Sequence, residues 1–325
     1  MPIVVNSNAS ATQASFNLSR ANDSLRKSLA RLSSGNRINS PADDAGGLAV
    51  AYKLNSKLNR TEAVIQNSQN ALSYLQVQDA SLQTVGKILD RMAELRTMAA
   101  DITKNSGDIE NYTKEFMELQ SQLSQIRHES FNGISLFADT ASTAIAGELD
   151  LGSGTYLDSD GNTQTYTTFS RQLITHPDGQ ASDGSISLNV VNLQFVLSIG
   201  SLAANGNGAT GYDLANIDAS NNANGTTGGF IDNILNVSVG QFTAAIEKLA
   251  DMRAENGAEQ NRIMNSIDLL QTNMTNLEAA HGRIMDADIA LESTRFARHN
   301  VLVQASAAMT AQANQLTNVA LQLLG

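Results

Sequence analysis

The chain has 325 residues, long enough for one to three domains with a buried core. It carries a net charge of −11, three prolines, 5% aromatic residues, and neither cysteine nor tryptophan. This composition excludes a disulfide scaffold, a thiolate metal site and a cysteine nucleophile, and it argues against a nucleic-acid binder that works by neutralising phosphates.

Charge divides the chain into three stretches. Residues 1–137 hold 14 basic and 13 acidic side chains, residues 138–240 hold 1 and 10, and residues 241–325 hold 6 and 9. The middle stretch also has 14 of the 23 glycines. Such a shift marks boundaries near 138 and 240. The opening MPIVVNSNASATQ has neither a basic leader nor a long apolar core, so a secretory signal peptide is not expected there. No run of 18 apolar residues predicts a transmembrane helix.

The first predicted helix carries Leu18, Leu25 and Leu32 seven apart, with Ala11, Ala14 and Ala21 on the same stripe. A second begins after Pro41-Ala42-Asp43-Asp44, where carboxylates suit a helix N-terminus, and is expected from about 44 to 103. Its apolar positions are Leu58, Ile65, Leu72, Leu75, Leu82, Ile88, Leu89, Leu95 and Ile102. Asn105-Ser106-Gly107-Asp108 ends it, and a third helix is predicted to about His128.

In the middle stretch, Thr155-Tyr156-Leu157 and Thr165-Tyr166-Thr167 flank a turn at 158–162, which reads as a hairpin. Ser185–Val190 alternates as a strand does, and 191–199 is β-branched and apolar enough to continue as strand. Residues 203–229, rich in Asn, Gly, Ala and Thr, read as a long loop. The last part is the most regular. Leu249, Asn256, Ile263, Leu270, Leu277, Ile284 and Leu291 lie seven apart, with Ile267 and Met274 between. Leu302, Met309, Leu316 and Leu323 repeat the period, with Ala305 and Val319 in the alternate places. Sustained heptads are the pattern of coiled-coil packing. Both terminal stripes are short and need a partner, either each other or another copy of the chain.

Motifs for chemistry are weak. Gly206-x-Gly208-x-x-Gly211 lacks the helix and the βαβ unit that dinucleotide binding requires. Asp158-x-Asp160-Gly161-Asn162 begins like a calcium loop, but Thr163 and Phe169 stand where a glycine and a bidentate carboxylate are needed. His128, His176, His281 and His299 form no HExxH pair, and no GxSxG elbow is present. Asp286, Asp288 and Glu292 read as a helix face paired with Arg283, Arg295 and Arg298 rather than as a metal site. No catalytic residue, metal ligand or cofactor site is expected.

The segment Leu32-Ser33-Ser34-Gly35-Asn36-Arg37-Ile38-Asn39-Ser40-Pro41-Ala42-Asp43-Asp44-Ala45-Gly46 resembles the N-terminal signature of bacterial flagellin. Phe131-Asn132-Gly133 with Leu136 is similar to the motif that closes that family's N-terminal region. Asp286-Ala287-Asp288 through Gln304-Ala305, Ala308-Met309 and Ala311-Gln312-Ala313-Asn314-Gln315 resembles its C-terminal signature. The resemblance implies an α+β architecture. A long coiled-coil helical bundle is built from both termini, with a β-rich variable domain inserted between them. The implied parts are a filament-core helix at 1–40, half a helical rod at 41–137, an outward-facing domain at 138–240, the other half rod at 241–290 and a second core helix at 291–325.

The resemblance also implies a function. Such a chain is a structural subunit that self-assembles into a helical homopolymer, the extracellular flagellar filament used for swimming, and is not an enzyme. Leu18, Leu25, Leu32, Leu302, Met309, Leu316 and Leu323 would form the self-assembly core. Implied partners are hook-associated and cap proteins, an export chaperone serving type III export, and a Toll-like receptor touching Arg91, Leu95 and Glu118. Ala93 stands where relatives usually have a second arginine, and Thr317 where many have proline, so the last helix is expected to run unbroken. Neither nucleic acid nor membrane is an implied partner. A hook–filament junction protein of the same family is the alternative, and an enzyme lodged in 138–240 is a third reading.

Overall fold

In a computed structural model, residues 8–138, 150–157, 163–182, 184–199, 212–213, 231 and 234–323 are described. The chain forms two compact units, Met1–Asn59 with Thr272–Gly325, and Arg60–Gln271.

Helix α1 spans Ala9–Ser34. It starts at Asn8, whose side chain accepts the Ala11 N–H at 3.0 Å. It stops at Gly35, which adopts φ 72° and donates its N–H to the Arg31 carbonyl. Helix α2 spans Ala45–Ala99. Asp44 caps it by accepting the Gly47 N–H at 2.8 Å.

The sequence pattern carries α2 to about 103, but the helix ends at Ala99. Asp101 accepts the Thr103 N–H at 2.9 Å, a local turn that competes with the helix ladder. Ile102, which continues the apolar row, is left 98% exposed. Helix α3, Ser106–Arg127, begins with a capping box: Asn105 and Asp108 each accept the other's backbone N–H.

A tight hairpin follows, β1 (Ser130–Phe131) and β2 (Ile134–Ser135), turned by Asn132 and Gly133 with φ 52° and 78°. A three-stranded antiparallel sheet is ordered β3 (Asp150–Leu157), β4 (Thr163–Ile174), β5 (Ser185–Val190). Leu157 pairs with Thr163, so the expected hairpin forms, although its turn at 158–162 lies outside the described residues. Ile186, Leu188 and Val190 point into the core, as their alternation predicts. The 191–199 stretch departs from the expectation of strand. Asn192 accepts the Phe195 N–H at 3.2 Å and starts a one-turn helix, α4 (Leu193–Val196).

Short strands β6 (Ser198–Ile199) and β7 (Tyr212–Asp213) pair antiparallel. The glycine motif at 206–211, and the rest of 203–229 apart from 212–213, lie outside the described residues. A 3-10 turn at Ile234–Asn236 precedes α5 (Val239–Met285) and α6 (Ile289–Leu323). Thr317 does not interrupt α6.

The second unit owes its core to three helical segments. Leu75, Leu82, Leu89 and Met92 of α2, Phe116 and Leu123 of α3, and Phe242, Leu249 and Ile263 of α5 are buried. Phe116 and Phe242 meet edge to face with centroids 6.0 Å apart. Helices α2 and α5 run antiparallel, as shown by Arg253–Asp79 at 2.8 Å and Asn256 Nδ2 to Gln78 Oε1 at 2.6 Å. Asn256 is the polar member of the heptad row, and its partners Gln78 and Gln260 satisfy it inside the core.

Candidate self-association surface

In the first unit, α1 and α6 pack together antiparallel. Asn8 Nδ2 donates to the Ala313 carbonyl at 2.8 Å near one end, and Arg31 lies 3.9 Å from Glu292 near the other. On α1 the positions shielded from solvent include Ala11, Ala14, Leu18, Ala21, Leu25, Ser28 and Leu32, alternately three and four apart, with Asn22, Ser24 and Arg31 partly shielded beside them. On α6 they are Glu292, Phe296, His299, Val303, Ser306, Thr310 and Ala313, with the same alternation. That is a heptad seam.

The α1 half of the seam contains Leu18, Leu25 and Leu32, where the spacing puts them. The α6 half differs from the leucine row that the sequence singles out. Leu302 is 46% and Met309 64% exposed. They precede Val303 and Thr310 by one position, about 100° around the helix. Leu316 and Leu323 continue their row along α6, and their side chains lie outside the described set. Leu291 and Val301 of α6 and Phe16 and Leu29 of α1 add to the exposed apolar surface.

Pairing at the ends decides this phase. Glu292, buried, is held by Arg295 at 3.3 Å and faces Arg31. The Arg37 N–H donates to the Met285 carbonyl, its guanidinium to the Ile284 carbonyl at 2.8 Å, and the Ala287 N–H to the Gly35 carbonyl at 2.9 Å. These bonds fix how α6 is rotated against α1. The missed signal is that an acid at 292 needs the basic Arg31 opposite it, which selects the Phe296–Val303 row over the Leu302–Met309 row.

The same joint explains the residues at 35–44. Ile38 is buried. Asp43 accepts from the Asn39 and Ser40 N–H groups at 3.3 Å and from Lys27 Nζ at 2.5 Å. The Lys27 hydrogen bond leads in pulling the Asp43 carboxyl down to about 2. Asp288 caps α6 by accepting the Leu291 N–H at 3.0 Å. Asp288 thus serves a cap and Glu292 serves ion pairs. Among the described residues no group of three or more His, Asp or Glu side chains is placed to hold a metal ion, and no helix is long and apolar enough to cross a membrane.

Arg91 and Glu118 lie on the second unit. Arg91 pairs with Glu94 and Glu115, each at 2.7 Å, and both hydrogen bonds raise its pKa. Glu118 is exposed on α3. Leu95 is 0% exposed, so in this fold its side chain packs in the core and offers no surface to a partner.

Comparison with known proteins bears on both ends. The description "Bacterial flagellin N-terminal helical region" matches residues 5–142, and "Bacterial flagellin C-terminal helical region" matches 239–324. The chain is 31% identical to the flagellin of Bacillus subtilis over 98% of its length and 99% of the relative's. It is 30% identical to polar flagellin F of Vibrio parahaemolyticus, with both chains covered fully. A crystal structure of Bacillus cereus flagellin aligns at 24% identity and a TM-score of 0.39, covering 66% of this chain and 94% of that one.

Proposed function

The chain belongs to the bacterial flagellin family, and from that premise we propose how its own residues hold copies together. The protein is a structural subunit of the flagellar filament, which lies outside the cell, and it associates with its own kind. In the proposal, the α1–α6 hairpin forms within each subunit, and the apolar side chains that it leaves outside bind neighbouring subunits. Leu302 and Met309 carry this reading: two large side chains stand exposed on a helix whose seam is already filled.

Burying a side chain of that size is worth roughly 1.5–3 kcal/mol. Every copy presents the same patch to a different patch on the next, a heterologous contact that propagates as an open helical array. Leu316 and Leu323 extend the row. Hook-associated and cap proteins meet this surface at the two filament ends, and an export chaperone covers the α6 row before assembly. Exposed apolar stripes of this kind need shielding in a free subunit. No step in the proposal requires catalysis.

Deleting residues 1–35 or 300–325 is expected to leave a folded second unit that does not polymerise. Normal filaments from either truncation, seen by electron microscopy, would sink the reading. Growth of long filaments from seeds by the intact protein separates a filament subunit from a junction protein. Receptor recognition is proposed at Arg91 and Glu118. Replacing either by alanine should weaken receptor binding with the fold intact, whereas Leu95→Ala should destabilise the fold.

A further inference from the structure

Among the described strands β5 pairs with β4 alone, so its far side is a sheet edge. The Thr175 N–H donates to the Gly184 carbonyl, which places the backbone groups of even-numbered residues toward β4 and turns those of Ser185, Ser187, Asn189 and Val191 outward. Such an edge invites another strand. Ser185–Val190 suits that pairing: it carries neither charge nor proline, and Ile186, Leu188 and Val190 alternate with polar residues. Side chains from two helices occupy the edge instead. On α5, Glu259 accepts the Asn189 N–H through both carboxylate oxygens, at 2.9 and 3.1 Å. Glu255 accepts from the Asn189 side-chain amide at 2.8 Å, and Arg262 donates to the Ser185 carbonyl at 3.5 Å. From α2, Gln78 Nε2 donates to the Asn189 carbonyl at 3.3 Å. The Ala138 N–H donates to the Val191 carbonyl at 3.0 Å. Glu255, Glu259 and Arg262 are four and three apart, so one face of α5 lies along the strand.

We infer that this face of α5 is a guard, and that the partner it keeps away is β5 of a second copy. The chain associates with its own kind, so every neighbour presents the same edge at high local concentration. Two β5 strands can pair antiparallel about a two-fold axis, the outward groups of one meeting those of the other. That contact is isologous and closes as a dimer, whereas a filament needs a contact that propagates. With the edge occupied by Glu259, Gln78 and Arg262, association is left to surfaces that propagate.

The test is sedimentation of the full chain without seeds, together with hydrogen exchange at Ser187. The wild type should stay monomeric, and the outward amide of Ser187, an exposed residue, should exchange at a rate independent of protein concentration. E259A removes the acceptor at the centre of the edge and should shift the protein to a dimer as concentration rises. Exchange at Ser187 should then slow about ten-fold, as that N–H gains a partner strand. E259Q keeps an acceptor oxygen and should stay monomeric. Adding S187P to E259A removes the outward N–H at an edge position and should restore the monomer. E255A with R262A changes two exposed side chains, leaves Glu259 in place and should also dimerise, which decides the matter if E259A folds poorly. Unchanged protection of the α3 amides identifies a folded variant. A folded variant lacking the guard that stays monomeric, or a dimer that survives S187P, would overturn the proposal.

Discussion

Gly35 and Asp43 show how single residues hold the joint between the terminal helices. Gly35 has φ 72° with open space where a Cβ would project, so the cost of a side chain there is conformational and not steric. Gly35→Ala should lower stability by about 1 kcal/mol, read as a lower melting temperature with unchanged helix content. Asp43, with its carboxyl pulled to about 2, stabilises the fold above its unfolded value near 3.8 and loses that contribution as pH falls toward about 2. Asp43→Asn should remove this part of the acid sensitivity. Melting temperatures of the two proteins should converge at low pH and separate above about pH 4, with the wild type the more stable. Both residues are legible in the sequence, because a glycine after a helical stripe and an acid among turn residues have one common use each.

Among the elements, α6 is the informative one. It carries two rows at the same seven-residue period. Periodicity reports the spacing and is blind to phase, since any row seven apart stays on one face. The Leu302–Met309 row is the more apolar and stands out on that ground. The chain instead packs Phe296, Val303 and Ala313 against α1, because end contacts from Asn8, Arg31 and Arg37 fix the rotation. The division predicts a split between mutants. Phe296→Ala and Val303→Ala should each cost the free subunit about 1 kcal/mol or more of stability. Leu302→Ala and Met309→Ala should leave the melting curve of the free subunit nearly unchanged and raise the concentration needed for polymerisation. Melting curves and sedimentation of seeded assembly would check the two halves. Helix α4 makes the same point on a smaller scale: the β-branched run at 191–199 reads as strand, and one Asn192 cap converts its middle to helix.

At the scale of the molecule the two units differ in what fills them. The second is packed with fully buried Phe116, Phe242, Leu75, Leu82, Leu89 and Met92. In the first, the buried residues of the α1–α6 seam are Ala21, Ser28, Glu292 and Ala313, which lose little apolar area on folding. Local stability follows buried apolar contact. Amides of α1 and α6 in the free subunit should therefore exchange well before those of α3 and the 60–99 part of α2, and assembly should slow them. Equal protection in both units before assembly would contradict this.

The amino-acid sequence by itself determined the helical flanks, their heptad period, the acidic N-terminus of α2 at Asp44, the strand at Ser185–Val190 and the family to which the chain belongs. These are local or periodic properties, written in neighbouring residues. Three matters were decided only in the tertiary structure: which row of α6 meets α1, that Leu95 lies inside while Arg91 stays out, and that Glu259 closes the edge at Asn189. Each depends on residues far apart in the chain coming into contact, at Arg31 with Glu292, Phe116 with Phe242, and Asn189 with Glu259. Rotation about a helix axis and the burial of one carboxyl are set by such contacts, and no spacing within a single segment encodes them.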